Sequence, residues 1–414
     1  MNEHSRTKKI LERIGELSLC SEDRHAITRT FGSDAFREAV KKVQSWMNDA
    51  GLQTRVDNIG NVRGRRNCGE SGAKTLVIAS HIDTVINAGR FDGPLGVIMG
   101  LDMVEQVIEK NSSLPFNIEL IAFCDEEGVR FHTTYLGSKV VAGCFDQELL
   151  QSPDTKGRTV QDVIEEMGGD AGRLKADAIP VEDWLGYFEI HIEQGPVLYE
   201  KNIPVALVSD IAGQSRVEIH FKGEAGHAGT VSMDKRRDAL CCACECILQT
   251  EKMALDSNGK LTATIGKINL ENAASNVIPG IAVCSLDLRS SDASFLEISH
   301  RNLQAVFEAV CIKRNIVIEW KRVQESKPVS CNEVMNQCLA SAIYDAGYEI
   351  ISLVSGAGHD AVAISAVAPV CMLFVRCYKG ISHHPLENVE AGDIEAAIHV
   401  ADGFIDHLKN TKKT

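Results

Sequence analysis

The chain has 414 residues, 44% hydrophobic and 24% charged, with a formal net charge of −14. That length implies two or three domains with ordinary cores. The acidic balance speaks against nucleic acid or an anionic membrane as partner, since both are held through basic patches.

The start, MNEHSRTKK, lacks an apolar signal core, and no apolar run approaches the 18 or so residues of a membrane span, so a cytoplasmic chain is expected. In chain order, SDAFREAVKKVQSWMNDAG predicts a helix capped by Ser33 or Asp34 and stopped by Gly51. KTLVIASHIDT is a continuous β-branched run, the signature of a strand covered on both faces. GPLGVIMGLDMVEQVIEKN has Leu101, Val104 and Ile108 at helical spacing, and FNIELIAFC is a second buried strand. Strand, helix, strand in this order is a parallel α/β unit.

From about residue 212 the rhythm changes. SRVEIHFKG alternates with period two, a helix is expected over about 235–253, strands over about 261–270 and 281–289, a helix over about 292–314, and then the strand NIVIEWKRV. That β-α-β-β-α-β order is the ferredoxin-like sandwich. The α/β rhythm resumes with YEIISLVSGAG, APVCMLFVR and a final helix. The expected fold is an α/β domain in two pieces, 1–211 and 328–414, with a ferredoxin-like α+β unit, 212–327, inserted between them. Fourteen cysteines without an export signal read as reduced thiols, and Cys241, Cys242, Cys244 and Cys246 of LCCACECIL as small core-filling side chains.

Potential metal ligands fall at strand ends. SHIDT supplies His81 and Asp83, two residues apart, so that Asp83 is expected to hold the ring nitrogen of His81 that binds no metal. Asp92 follows in RFDGPLG, Glu126 and Glu127 in CDEEGVRF, His191 in YFEIHIEQG, and His383 or His384 in GISHHPLE. Sites in parallel α/β sheets gather at the carboxyl ends of strands. Imidazoles with carboxylates suit zinc, manganese or cobalt better than calcium. A dication pair would also make the acidic run Asp125–Glu127 tolerable, with one acid ligating and its neighbour free to move protons.

SHIDTV, FDGPLG, DEEGVRF, HIEQGPVL, GHAGT and SGAGHDA with GISHHP resemble the binuclear-metal amidohydrolases, allantoate amidohydrolase and N-carbamoyl-L-amino-acid hydrolase, relatives of the aminoacylase and carboxypeptidase G type metallopeptidases. The likeness runs from about residue 30 to the C-terminus. It implies a metallopeptidase-like catalytic domain with two divalent ions, His81 and His191 on one, Glu127 and His383 on the other, and Asp92 bridging. It further implies Glu126 as general base, and the inserted unit as a lid through which two copies pair as a homodimer. His227, Gln194, Gln214, Asn276 and Arg289, with Gly358 and His359 of GAGHDA, match positions that contact substrate, His227 also steadying the oxyanion. One departure is Val231-Ser232-Met233, where the family continues with Thr-Pro-Met, so the loop beyond His227 is expected to sit differently.

Allantoate is the substrate the resemblance favours, with N-carbamoyl amino acids as the alternative and a dipeptidase more distant. GAGHDA also fits a dinucleotide fingerprint, but VRCYKG stands where that fingerprint wants an acid. A relative that only binds a metabolite is disfavoured because every ligand and the base are present.

Overall fold

A computed structural model describes residues 3–411. The chain divides into two compact units, one made of residues up to Ser209 together with those from Ser330 on, the other running from Asp210 to Val329. No helix among the described residues is long and apolar enough to cross a membrane.

The first unit opens with helices α1 (Glu3–Ser18) and α2 (Asp34–Asp49); Ser33 caps α2 by accepting the Phe36 N–H, and Gly51 ends it at φ 83°. Strands β1 (Gln53–Val56) and β2 (Val62–Arg66) form a hairpin, followed by β3 (Thr75–His81), α3 (Pro94–Glu109), β4 (Asn117–Phe123), β5 (Trp184–Ile192) and β6 (Val205–Ile211). The hairpin is invisible to apolar patterning because β2 reads VRGRR. Arg63 is nevertheless buried, its guanidinium satisfied by Glu119 at 2.6 Å and the Asp177 carbonyl at 2.5 Å.

The inserted unit comprises β7 (Gly213–Lys222), β8 (Gly226–His227), the helix Ala239–Asp256, β9 (Thr262–Leu270), β10 (Val277–Ile278), β11 (Ile281–Ser290), the helix Ala293–Arg314 and β12 (Val317–Ser326). Its main sheet has the order β12-β7-β11-β9, and both long helices pack on it. This is the expected ferredoxin-like sandwich. The first helix starts at Ala239 rather than near 235, because Met233–Lys235 closes a separate short turn and Asp238 supplies the cap. The chain then returns through β13 (Val329–Ser330), β14 (Ser352–Ser355) and β15 (Val370–Val375) to the C-terminal helix Ala391–Thr411.

In the first unit's sheet the order is β1-β2-β4-β3-β5-β15-β6-β13, with β14 beside β6. The four central strands β4, β3, β5 and β15 are mutually parallel, and β3, β4 and β15 are buried at every position. Their carboxyl ends therefore lie along one edge, and this edge carries the acidic and histidine residues.

Arg29 ties that edge to the N-terminal helix. Its fully buried side chain donates to the carbonyls of Ile82, Leu17 and Cys20 at 2.5, 2.9 and 2.9 Å. Replacing it with Met would leave the buried Ile82 and Cys20 carbonyls without a donor, at about 1–3 kcal/mol each when no water can enter, while Leu17 O keeps the Cys20 N–H at 3.1 Å. Arg29→Met is expected to lower the unfolding free energy in urea by roughly 3 kcal/mol or more. A change below about 1 kcal/mol would mean these carbonyls find other donors.

Candidate metal centre

The site begins with strand register. β3 and β5 are parallel neighbours with Ile78 opposite Phe188, and three residues further along each strand stand His81 and His191. Their ring centroids are 5.7 Å apart, and both side chains are buried. Each ring turns its Nδ1 to a main-chain carbonyl, His81 to Asp83 O at 3.1 Å and His191 to Ile192 O at 3.0 Å. A carbonyl only accepts, so Nδ1 carries the proton and the Nε2 lone pair faces inward.

Asp92 lies in the loop between β3 and α3. Gly93 follows it at φ 82°, and a Cβ there would fall onto the His81 ring, so only glycine fits between them. Asp92 Oδ1 stands 3.6 Å from His81 Nε2 and 3.2 Å from His191 Nε2, and its Oδ2 stands 3.1 Å from His383 Nε2. Glu127 Oε1 is 3.4 Å from the same His383 nitrogen. Two triads result, His81–Asp92–His191 and Asp92–Glu127–His383, each with donor atoms within 4.8 Å of one another and Asp92 common to both. Glu126 forms a third such group with His81 and Glu127. Both histidines are exposed, but His383, at φ 55°, takes this place, whereas His384 accepts the Leu386 N–H.

The acidic run turns off the end of β4 through Asp125 at φ 50°. Asp83 stands beside the His81 ring as expected, its Oδ1 3.7 Å from Nδ1 as a charge contact, but the hydrogen bond to that nitrogen is not made by the carboxylate. Its main-chain carbonyl makes that bond instead, and its carboxylate accepts the N–H groups of Glu126 and Glu127, both at 3.1 Å.

Charge is crowded here. Burial pushes the Glu126 carboxyl well above the ordinary glutamate range against the pull of His81, and Asp125 is pushed up in the same way, with Asp83 adding to the effect. Burial and Asp92 push Glu127 up to about 7. Burial acts on Asp92 too, but the close approach of the His191, His383 and His81 imidazoles holds it well below the usual aspartate range. His191 Nε2 and Asp125 Oδ2 are buried without a hydrogen bond, although Asp92 Oδ1 approaches that nitrogen as a charge contact. Orphaned donor atoms amid two imidazoles and several carboxylates fit a pair of borderline divalent cations.

Not every expected substrate contact faces open space. The Gln194 amide donates to Asp92 Oδ2 at 2.8 Å and lies 3.2 Å from Ser382 Oγ. His359 is buried edge-on beneath His191, centroids 4.6 Å apart, with Nε2 on Ser355 Oγ at 2.7 Å. Gly358 packs against the Tyr135 hydroxyl, where a Cβ would collide, so this glycine serves an internal contact. In the inserted unit Gln214 and Arg289 are cross-strand partners on β7 and β11, both bonded to Asp287. His227, exposed, pairs with Val277 on the β8–β10 ribbon, where Ala228 N donates to Asn276 O at 2.9 Å.

Three contributors escaped the sequence reading. Ser382 donates to Asp92 Oδ2 at 2.5 Å, and Glu387 Oε1 accepts the N–H groups of Phe91 and Asp92 at 2.6 and 3.1 Å. Glu189, beneath the site, is held by Tyr187 and Ser80. Ser382 and Glu387 flank His383 within SHHPLE, and that adjacency was the available signal.

Residues 77–407 match the model for peptidase family M20/M25/M40. The chain is similar to allantoate deiminase 1 of Glycine max, 38% identical over 96% of this chain and 88% of that protein. It is also similar to N-carbamoyl-L-amino-acid amidohydrolase of Pseudomonas sp. (strain NS671), 34% identical over 96% of this chain and 97% of that protein. A crystal structure of an amidase of the hydantoinase/carbamoylase family from Burkholderia multivorans superposes with a TM-score of 0.88 at 30% identity, covering 97% of each chain. Aminopeptidase PepT from Bacillus cereus, at 16% identity and a TM-score of 0.67, shares the fold. By the family match across most of its length, this chain belongs to peptidase family M20/M25/M40, a family of metal-dependent hydrolases.

Proposed function

We propose that the protein is an amidohydrolase that cleaves the ureido C–N bond of a small ureido acid, foremost allantoate, releasing ammonia and carbon dioxide. The observation that carries this reading is the single carboxylate, Asp92, common to two ligand triads at one sheet edge. The relatives named for allantoate and N-carbamoyl amino acids support the substrate class. Both compounds set a carboxylate beside a ureido group.

In this reading His81 and His191 would hold one divalent ion and Glu127 and His383 the other, with Asp92 available to both; zinc, manganese and cobalt would suit this donor set. Such a pair supplies a polarised carbonyl and a water of lowered pKa. Glu126 lies in a donor group with His81 and Glu127 and is assigned to neither ion. It takes the proton of the attacking water and returns it to the departing nitrogen. Asp83 fixes the main chain of Glu126 and Glu127, so the base and its ligand neighbour keep separate directions.

Substrate contacts come from the inserted unit. Gln214 and Arg289 mark one end of the β7–β11 ribbon, while His227 and Asn276 lie past its other end, beyond the Lys222–Ile281 rung. The eight residue-to-residue steps from Gln214 to Lys222 alone span about 26 Å at 3.3 Å each. A molecule the size of allantoate cannot meet both ends within one chain, which supports completion of the pocket by a second copy. The partner's lid then brings His227 to the developing oxyanion, and Arg289 receives the substrate carboxylate in competition with Asp287.

The division of labour between adjacent acids is tested by isosteric amides. Glu126→Gln should keep both metals and lose turnover by about 10²-fold or more, whereas Glu127→Gln should lose metal. Metal content and rate measured on both proteins decide it, and a fully active Glu126→Gln protein removes Glu126 from the base role.

Subunit sharing is tested by mixing His227→Ala with Glu126→Gln. After subunit exchange the inactive pair should recover up to roughly a quarter of the parent rate, because half the dimers are mixed and each holds one intact site. Exchange without recovery would place His227 in its own chain's site or in none.

The substrate is tested with allantoate, N-carbamoyl amino acids and their amide-capped analogues. Arg289→Lys keeps the charge but loses the planar fork, so catalysis on the acids should weaken by about 1–3 kcal/mol while the amides stay nearly indifferent. Unchanged acid turnover would discard the clamp, and faster parent turnover of N-carbamoyl amino acids would shift the substrate assignment to them.

A further inference from the structure

The position of Gln194 matched a substrate contact, yet its amide turns inward. It donates to Asp92 Oδ2 at 2.8 Å and stands 3.2 Å from Ser382 Oγ and 3.4 Å from His383 Nε2. The Ser382 hydroxyl donates to the same Asp92 oxygen at 2.5 Å. Both side chains thus act on the one carboxylate that the two triads share.

These donors come from distant segments that the main chain locks together. Gln194 lies two residues past the end of β5, the strand that carries His191, while Ser382 directly precedes His383. Glu193 N donates to Val375 O at 3.0 Å. A Cβ on Gly380 would fall 2.3 Å from the carbonyl carbon of Gly195, so the two turns touch backbone to backbone. Gln194 itself sits at φ 56°, a left-handed conformation that glutamine rarely adopts. Strain of that kind persists where the surroundings over-determine the residue.

The two triads are not anchored alike. His81 and His191 are buried, and each ring is fixed by a main-chain carbonyl. The second triad has a single imidazole, His383, whose side chain is 48% exposed. Its donors converge only while Asp92 Oδ2 is held towards His383 and Glu127. Oδ2 is the oxygen that Gln194 and Ser382 hold.

We propose that Gln194 is a positioning residue of the metal centre and not a substrate contact. Acting with Ser382, it orients Asp92 Oδ2 and thereby sets the affinity for the second divalent ion, the one that Glu127 and His383 would hold, while leaving the first unaffected. This rests on the binuclear reading above. Neither Gln194 nor Ser382 meets a reacting atom; both work through Asp92.

The test strips the full-length protein with a chelator and returns Co(II), which reports its binding by visible absorption and is counted by equilibrium dialysis. The parent should bind two ions. Gln194→Asn keeps a residue that tolerates left-handed backbone but draws the amide out of reach of Asp92. It should hold the first ion as the parent does and the second about 10–100-fold more weakly, the usual effect of losing a hydrogen bond to a metal ligand. Ser382→Ala should behave alike, and Ser382→Thr, which keeps the hydroxyl, should restore the second ion. At saturating Co(II) the KM of Gln194→Asn should match the parent's, measured with whichever of allantoate and the N-carbamoyl amino acids the parent turns over. Parental affinity for both ions with a raised KM would return Gln194 to the substrate pocket and overturn the proposal. Equal weakening of both ions would overturn it as well, leaving a merely structural role. A parent that binds fewer than two ions would remove the binuclear reading itself. If circular dichroism shows that Gln194→Asn fails to fold, the two Ser382 variants decide the same question.

Discussion

The carboxyl edge of the first unit is governed by uncompensated negative charge. Asp83, Asp92, Asp125 and Glu126 are buried at or just beyond the ends of strands that are buried along their whole length, and Glu127 is close beside them. Carboxylates removed from water must be neutralised, paired or protonated. Burial drives several towards protonation, but Asp92, surrounded by three imidazoles, stays ionised. Such an arrangement costs stability as it stands. A pair of dications offsets that cost, so charge, donor chemistry and geometry point the same way.

Much of the surrounding structure holds this unfavourable cluster in place. The register of β3 against β5 sets the two histidines level, and main-chain carbonyls fix their tautomer. Asp83 holds the acidic turn, while Glu387 holds the turn of Asp92 by its backbone and Gln194 with Ser382 hold its carboxylate. Arg29 anchors the chain just past His81. These contacts fix ligand direction to within narrow limits, as a site that must bind and react without rearranging requires.

What could be read in the sequence follows from what carries a local signal. Apolar periodicity located β3, α3, β4 and the inserted sandwich, and the candidate ligands were marked by standing at the ends of those strands. The β1–β2 hairpin gave no such sign, because Arg63 is buried through ion pairing and not through hydrophobicity. The double role of Asp83, whose carbonyl hydrogen-bonds the ring while its carboxylate faces the ring and holds the acidic turn, leaves no local signal beyond its spacing from His81. Glu387 acts across nearly three hundred residues of chain, on the backbone of Phe91 and Asp92, and long-range contacts to main chain leave no pattern in either segment. His359 and Gly358 were legible as unusual but not as internal, since burial beneath His191 and against Tyr135 is a tertiary fact.

The inserted unit adds a constraint that the metal centre lacks. A flat antiparallel ribbon is stiff along its strands, so the residues at its two ends keep their separation whatever the side chains do. Gln214 and Arg289 thus stay at one end and His227 and Asn276 beyond the other. On the proposed reading, the distance that forbids their meeting within one chain is what makes pairing of two copies necessary for turnover. Assembly then acts as part of the active site, and a lid shared between subunits lets substrate enter before the oxyanion donor arrives. Water is excluded only when the pocket is complete, which is when the proton held by Glu126 has a departing nitrogen to receive it.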